Sequence, residues 1–318
     1  MKCIVIYYSQ TGNTAKIARA IHRGMSRRAQ HCDIATVREI SPQDVEKYDL
    51  IGLGSPVWMG AETPNVRNFI ESVPRQEGRH IFSFCTHGVM PEQYFPTVVR
   101  RLKNRGFTVI GTKDWYGSVH FQLAPSPYYT EGHPDETDLQ EAEEFGAEMV
   151  AVSQRIAAGE TGLIPPVPPY VYTHQLWVLA EFLRSGHNPH GRLKYDPEKC
   201  NYPKCRLCMD NCLMGYIDLA ASPRIFGSEK TECDMWMGCT FCEMICPTGA
   251  ISCDWEEFAG QTAALHAMFD FNPLEKAAEE QVAAGKLRLL IPMEEVRHDR
   301  PYFLVHARRP RFKLGKEK

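Results

Sequence analysis

The first half of the chain alternates short apolar runs with stretches of helical periodicity. Five runs are apolar on both faces, which is typical of parallel strands buried between helix layers, at residues 3–8, 34–37, 49–54, 81–85 and 107–111. Apolar residues also recur at amphipathic-helix spacing, at Val66, Phe69, Ile70 and Val73 and at Phe95, Val98, Val99 and Leu102. A further helix is predicted from Thr137, which could form a capping box with Gln140. The pattern predicts an α/β domain with a five-stranded, doubly wound parallel sheet over residues 1–158.

The rest of the chain divides into three segments by composition: a proline-rich connector (159–199), a cysteine-rich segment (200–253) and a C-terminal extension (254–318). Within the connector, residues 170–183 predict an apolar helix. Within the extension, apolar runs at residues 287–291 and 302–306 predict a β-hairpin. No role for the extension follows from its sequence.

Composition narrows the class of protein. Of the 318 residues, 43% are hydrophobic and 24% are charged, as in ordinary globular proteins, and the net charge of −3 excludes a generally basic nucleic-acid binder. Because no apolar run reaches the roughly 18 residues of a membrane span and the first residues quickly become polar, we expect a cytoplasmic protein. In that compartment the twelve cysteines indicate metal or cluster ligands before disulfides.

A hydroxyl-rich turn follows the first predicted strand and precedes a helix. Backbone N–H groups, hydroxyls and the helix dipole make such a turn an anion site, although an ordinary helix N-cap uses the same residue types. The turn has no Lys or Arg and neither a GxxxxGK[ST] nor a GxGxxG motif, which disfavours a nucleoside triphosphate and a dinucleotide. The ligand that this turn still fits is a monophosphate group held by neutral hydrogen-bond donors. The residues of the turn are Ser9, Gln10, Thr11, Gly12, Asn13 and Thr14.

This turn resembles the FMN-phosphate loop of the flavodoxin family. Two further segments follow the third and fourth predicted strands, at the carboxyl ends where open α/β sheets bind ligands. The resemblance implies that both flank the flavin ring, through Pro56, Val57, Trp58, Met59 and Gly60 and through Thr86, His87 and Gly88. Trp58 could stack on one face of the ring, with Tyr94 a weaker candidate for the other. His87 is either a flavin or substrate contact or an ordinary loop histidine.

The connection at residues 118–133 is longer than a strand-to-helix turn requires. Its position after the fifth predicted strand places it near the same rim of the sheet. It is either a lid over the flavin or a surface excursion.

Two sets of four cysteines repeat in the cysteine-rich segment. The last three members of each set are offset by 34 positions and the first by 33; the sets are Cys200, Cys205, Cys208 and Cys212, then Cys233, Cys239, Cys242 and Cys246. The repeat extends beyond the cysteines, because Gly215 and Ile217 match Gly249 and Ile251. Such spacing lets one loop hold three corners of an iron–sulfur cube while the fourth cysteine turns toward a second cluster.

This repeat resembles the bacterial-type ferredoxin module with two [4Fe–4S] clusters, a small α+β domain. The resemblance implies that one cluster is held by Cys200, Cys205, Cys208 and Cys246, and the other by Cys233, Cys239, Cys242 and Cys212. The first gap of each set is longer than in that family, and Leu213 replaces its proline. A pair of zinc sites is the alternative, but it leaves four cysteines at matched offsets unexplained.

Together the two resemblances are to flavodoxin–ferredoxin fusion proteins. They imply an electron-transfer protein that moves electrons between two [4Fe–4S] clusters and FMN and that meets protein redox partners of ferredoxin type. An FMN-dependent oxidoreductase that reduces a small-molecule substrate, with the clusters as electron supply, is the alternative, and a non-redox zinc protein is a third. Six basic residues near the end favour either an acidic redox partner or a solvated tail: Arg308, Arg309, Arg311, Lys313, Lys316 and Lys318.

Overall fold

A computed structural model describes most of the chain: residues 1–58, 60–170, 193–221, 225–226, 239–256 and 273–315. Met59, Cys233 and most of the predicted helix at 170–183 lie outside the described residues. The chain divides into two compact units. Unit 1 comprises Met1–Ser118 and Thr130–Val171, and unit 2 comprises Val119–Tyr129 and Tyr172–Lys318.

Unit 1 is built on one parallel sheet. Its strands are β1 (Lys2–Tyr7), β2 (His31–Thr36), β3 (Leu50–Trp58), β4 (Ala61–Glu62), β5 (His80–His87) and β6 (Thr108–Tyr116). The long strands pair in parallel in the order β2-β1-β3-β5-β6, and the short β4 pairs antiparallel with β3. The predicted five-stranded parallel sheet is confirmed.

Helices cover both faces of this sheet because alternate strand residues are apolar toward opposite sides. The helices are α1 (Asn13–Ser26), α2 (Pro64–Ser72), α3 (Tyr94–Asn104) and α4 (Glu136–Ala157). On one face Val5 and Phe82 pack with side chains of α1 and α4. On the other, Ile6 and Ile81 lie against side chains of α2 and α3, including Phe69. The sheet is therefore doubly wound.

Helices α1 and α4 cross at two glycines. A Cβ added to Gly24 would lie 1.8 Å from the carbonyl oxygen of Glu143, and one added to Gly146 would lie 2.2 Å from that of Ile21. Both distances are far inside van der Waals contact. Only glycine at these positions allows the two backbones to approach so closely.

The start of α4 differs from the prediction. Asp135, rather than Thr137, is the N-cap, and its side chain accepts hydrogen bonds from the backbone N–H groups of Thr137 and Asp138. The Asp138 carboxylate in turn accepts from the backbone N–H of Asp135 at 2.8 Å. The capping box thus uses two aspartates one turn apart, and the predicted box of Thr137 and Gln140 is wrong.

Unit 2 consists of short elements. They are β7 (Lys194–Tyr195), α5 (Leu207–Asn211), β8 (Ile217–Asp218), β9 (Ile225–Phe226), α6 (Phe241–Ile245), β10 (Ile251–Ser252), α7 (Pro273–Ala283) and α8 (Tyr302–Val305). The strands form two antiparallel pairs, β7 with β10 and β8 with β9. Single-turn 3-10 helices occur at Thr161–Leu163 in unit 1 and at Met293–Glu295 in unit 2, and unit 1 has a longer one at Pro42–Lys47.

The predicted hairpin in the C-terminal extension is wrong. Residues 287–291 form no strand, and α8 occupies most of the second apolar run. A strand would place Tyr302 and Leu304 on one face, but Tyr302 and Phe303 are both buried whereas Leu304 and Val305 are exposed. The pattern of burial is that of a helical turn starting after Pro301.

Candidate functional site

The turn between β1 and α1 has the geometry of a helix N-terminus without a side-chain cap. Gly12 is the N-cap residue, with φ of 102°, and it has no side chain that could accept from the first-turn N–H groups. Its own N–H donates to Ser9 Oγ at 3.2 Å. No acidic residue lies in the first turn of α1. The turn therefore offers backbone donors and the positive end of the helix dipole.

Two further bonds hold this turn. The Asn13 side-chain amide donates to the carbonyl oxygen of Ser118 at 2.8 Å, and a Cβ on Gly117 would lie 2.9 Å from that amide nitrogen. The buried hydroxyls of Thr14 and Thr86 lie 2.7 Å apart. The structure thus brings together Thr14 and Thr86, which were predicted from separate segments. Their hydroxyls are hydrogen-bonded to each other in the protein interior.

The second predicted segment is a hairpin and not a loop. Strand β3 continues through Pro56–Trp58, with Val57 opposite Glu62 and Trp58 opposite Ala61 in β4. Gly60 has φ of 76° in the tight turn. Trp58 is partly exposed, so its indole is accessible at the carboxyl edge of the sheet.

A buried carboxylate anchors this hairpin, and the sequence carries no signal for it. Glu62 is fully buried, with Arg101 Nε at 2.8 Å and Arg67 Nε at 3.5 Å from one carboxylate oxygen. The arginines belong to α3 and α2. The charges therefore tie the turn next to Trp58 to the helix layer.

The third predicted segment is also partly strand, because β5 extends to His87. The His87 ring is buried, with Nε2 2.9 Å from the carboxylate of Asp114 on β6, and it packs edge-on against Tyr116 with ring centroids 4.9 Å apart. Burial, with Asp114 adding to it, raises the pKa of the Tyr116 hydroxyl to about 12. His87 is therefore held by neighbouring strands, and Gly88 follows at the strand end.

Tyr94 cannot cover a flavin, contrary to the prediction. It is fully buried at the start of α3, where its hydroxyl donates to the carbonyl oxygen of Phe84 at 3.0 Å and lies 3.3 Å from Ser83 Oγ. Burial raises the pKa of this hydroxyl well above its usual value. Helix geometry points the side chain into the sheet rather than toward the rim.

The connection at 118–133 is not the predicted surface excursion, because Gln122, Tyr129 and Thr130 within it are buried, while the lid over the flavin stays a prediction. Its ends belong to unit 1, where Thr130 Oγ1 donates to the carbonyl oxygen of Gly117 at 2.8 Å. Its middle, Val119–Tyr129, belongs to unit 2, which the predicted boundary at residue 158 does not anticipate. Gln122 is fully buried there, and Tyr129 is 2% exposed.

Comparison with known proteins assigns the fold of unit 1. A family model described as a flavodoxin domain matches residues 4–104. An uncharacterized protein of Methanocaldococcus jannaschii is 27% identical over 155 residues, covering 47% of this chain and 99% of that protein. A flavodoxin of Aquifex aeolicus is 29% identical over 125 residues, covering 36% of this chain and 68% of that protein. Unit 1 contains a flavodoxin-like domain.

Among solved structures, the two-electron reduced flavodoxin of Megasphaera elsdenii is similar to this chain, with 23% sequence identity and a TM-score of 0.37. The match covers 46% of this chain and 98% of that flavodoxin. The family model ends at residue 104, well before the cysteine-rich segment. None of the helices in the described part of the chain has the length and hydrophobicity that crossing a bilayer requires.

The cysteine repeat in the sequence is also a repeat in structure. Helices α5 and α6 are offset by 34 positions, and so are strands β8 and β10. Cys212 and Cys246 end the two helices with nearly equal backbone angles, φ −67° and ψ 111° against φ −68° and ψ 112°. Gly215 and Gly249 then take φ of 66° and 68°. Equivalent cysteines therefore occupy equivalent positions in two copies of one motif.

Four cysteines converge on one cavity in unit 2. The lining of this cavity includes Cys200, Cys205, Cys208 and Cys246. Tyr195, Leu207, Leu219 and Ile251 contribute apolar surface. Burial raises the pKa of the Cys208 thiol to about 11. Three of these cysteines belong to the first set and the fourth to the second, the combination that the ferredoxin resemblance implies.

The other cysteines have different surroundings. Cys212 accepts a hydrogen bond from the backbone N–H of Tyr216, with N and Sγ 3.4 Å apart, and Cys239 packs on the apolar cluster of α6. Cys242, within α6, packs beside Cys246. Cys253, outside the repeat, packs against Trp255 and Phe303, and burial raises the pKa of its thiol to about 12.

Proposed function

We propose that this chain is a redox protein that transfers electrons between a bound FMN and two [4Fe–4S] clusters, in exchange with protein redox partners. The observation that carries the proposal is the shared cavity of Cys200, Cys205, Cys208 and Cys246. A zinc ribbon would use Cys205 and Cys208 with Cys239 and Cys242, so it does not account for Cys200 and Cys246 in the cavity.

The flavodoxin-like domain supports FMN as the second cofactor. The turn of residues 9–14 offers neutral donors and a helix N-terminus to a phosphate, with Gly12 leaving the N-cap open. Partly exposed Trp58 lies at the end of β3, and buried Thr86 and His87 lie at the end of the neighbouring β5. The chain would thus hold the phosphate by backbone and the ring by the strand ends.

The second cluster follows from the repeat. Cys212, Cys239 and Cys242 correspond by position to Cys246, Cys205 and Cys208, and Cys233 would complete the set. Cysteine binds metal as the thiolate, so assembly of this cluster would release the thiol protons of its four ligands. FMN exchanges one or two electrons and each cluster exchanges one, which suits them to act in series.

An anaerobic reductive titration of the purified protein, followed by visible absorbance, tests the proposal. We expect uptake of about four electrons per chain, two by FMN and one by each cluster. Iron, acid-labile sulfide and flavin are measured on the same sample. Stoichiometric zinc, with no broad absorbance that bleaches on reduction, would show that the cysteines hold zinc instead.

A further inference from the structure

A buried carboxylate lies next to a predicted cluster ligand. Glu243 follows Cys242 in α6 and is fully buried. Its Oε1 is 2.5 Å from Arg309 Nη2 and 3.1 Å from Arg311 Nε, and its Oε2 accepts a hydrogen bond from Gln122 Nε2 at 2.7 Å. Arg309 and Arg311, two of the six basic residues near the end of the chain, therefore form ion pairs inside unit 2.

The same segment caps the helix that carries the cysteines. A five-residue helix leaves its last carbonyl groups without partners inside the helix. Arg309 Nη1 donates to the carbonyl oxygen of Glu243 at 2.8 Å, and the backbone N–H of Phe312 donates to that of Met244 at 3.0 Å. The two acceptors lie three and two residues before Cys246.

Apolar contacts strengthen this attachment. Phe241, Met244 and Ile245 of α6 form one buried cluster with Tyr302, and Phe312 packs against it. Arg311 also donates to the carbonyl oxygens of Phe303 and of His306, the latter at 3.0 Å. The segment is thereby folded onto itself as well as onto α6.

The contact of Glu243 with Arg309 and Arg311 buries charged groups, so each of them depends on the others for its stability. A carboxylate excluded from water is stable only while its partners remain, and removing one partner leaves a poorly compensated buried charge. Arg309 and Arg311 are 22% and 11% exposed at their side chains, so solvent screens them little. Their two positive charges exceed the single negative charge of Glu243, beside Cys242.

We propose that residues 301–312 form a C-terminal clamp on the second cysteine motif, in which Arg309 and Arg311 are positioning residues of the iron–sulfur site. The clamp holds α6 through Glu243 and through its carbonyl end, and it sets the charge next to the cluster ligands. This inference rests on the proposed function. It gives the C-terminal extension a role in cluster retention and cluster potential.

The test compares Arg311→Met with Arg308→Met, since Arg308 is an exposed arginine of the same segment outside the Glu243 contact. We expect Arg311→Met to release iron to a chelator roughly 10- to 100-fold faster than wild type, the range typical of outer partners of metal ligands, and Arg308→Met to match wild type. Arg311→Lys keeps the charge but not the fork of donors, so its rate should fall between the two.

The reduction potential of the clusters separates positioning from mere stability. Loss of a positive charge disfavours the reduced cluster, so Arg311→Met should shift the potential downward, and Glu243→Gln should shift it upward. If Arg311→Met does not fold, the opposite shifts expected of Glu243→Gln and Arg309→Met decide: an upward shift in the first and a downward shift in the second support the clamp.

Two results would overturn the inference. Iron release and potential of Arg311→Met and Glu243→Gln indistinguishable from Arg308→Met would refute the clamp while leaving the proposed function intact. Wild-type protein without iron and sulfide would instead refute the proposed function, and the clamp on the cluster site with it.

Discussion

The two units of this protein obtain their stability in different ways. Unit 1 has five parallel strands of six to nine residues with apolar side chains on both faces. In unit 2 the described strands have two residues each, and the cysteine-bearing helices have five. Its apolar clusters are small and centre on residues next to cysteines.

This contrast shows what each sequence pattern can support. Long strands that are apolar on both faces bury enough surface against the helix layers to fix a sheet. Apart from α7, the described elements of unit 2 have two to five residues and cannot do so, because ordering the backbone opposes folding at every residue. Buried ion pairs such as those of Glu243 add to the stability of unit 2, and the proposed clusters would join its short elements at the cysteines.

The largest effect expected is from metal removal. Anaerobic treatment with an iron chelator should lower amide protection in unit 2 by about 100-fold or more, because its short elements would lose the groups that join them. Protection in β1 and β5 of unit 1 should stay unchanged. Hydrogen–deuterium exchange with peptide resolution measures amide protection in both units on the same full-length sample. Equal loss of protection in the two units would contradict the difference in stability between them.

Single cysteine substitutions test which cysteines of unit 2 hold each proposed cluster. Cys208→Ala and Cys242→Ala should each lose one cluster, about four of eight irons, and retain FMN. Cys253→Ala is the matched control and should keep all the iron, because Cys253 lies outside the repeat and packs against Trp255. Iron and flavin analysis measures the outcome. Full iron content in Cys208→Ala would contradict the ligand assignment.

A packing substitution should act on unit 1 alone. The added methyl of Gly146→Ala would meet the carbonyl oxygen of Ile21, so the variant should lower the free energy of unfolding of unit 1 by about 1–3 kcal/mol. Gly162→Ala is the control, since no atom lies within 4 Å of the added carbon. Urea unfolding followed by flavin fluorescence measures both variants; equal midpoints would show that α1 and α4 can separate without loss.

The smallest effect concerns the anion turn. Gly12 has φ of 102°, a conformation that disfavours a side chain by about 1–2 kcal/mol, so Gly12→Ala should weaken FMN binding roughly tenfold. Quenching of FMN fluorescence on titration of flavin-free protein gives the dissociation constant. Gly162→Ala should bind FMN as wild type does. If Gly12→Ala binds FMN as strongly as wild type, the turn of residues 9–14 does not bind the FMN phosphate.

Much of unit 1 could be predicted because its signals are local. Strand and helix positions follow from apolar periodicity, and Gly106, a residue type common just after helix ends, lies just beyond α3 with φ of 88°. Strand ends were less predictable: β3 and β5 extend beyond their predicted apolar runs because neighbouring strands supply partners there. Tyr94 was assigned to the rim for its aromatic character, and only the packing of α3 shows that it lies in the core.

What the sequence by itself determined is the set of periodic features: five strands, their helices, the hydroxyl-rich turn and the repeat at an offset of 34 residues, which reappears in α5 and α6. Only the tertiary structure decided which distant residues meet. Nothing local to Gln122, Glu243 or Arg311 indicates a shared site, because a buried charge is stabilised by whichever segments the fold brings to it.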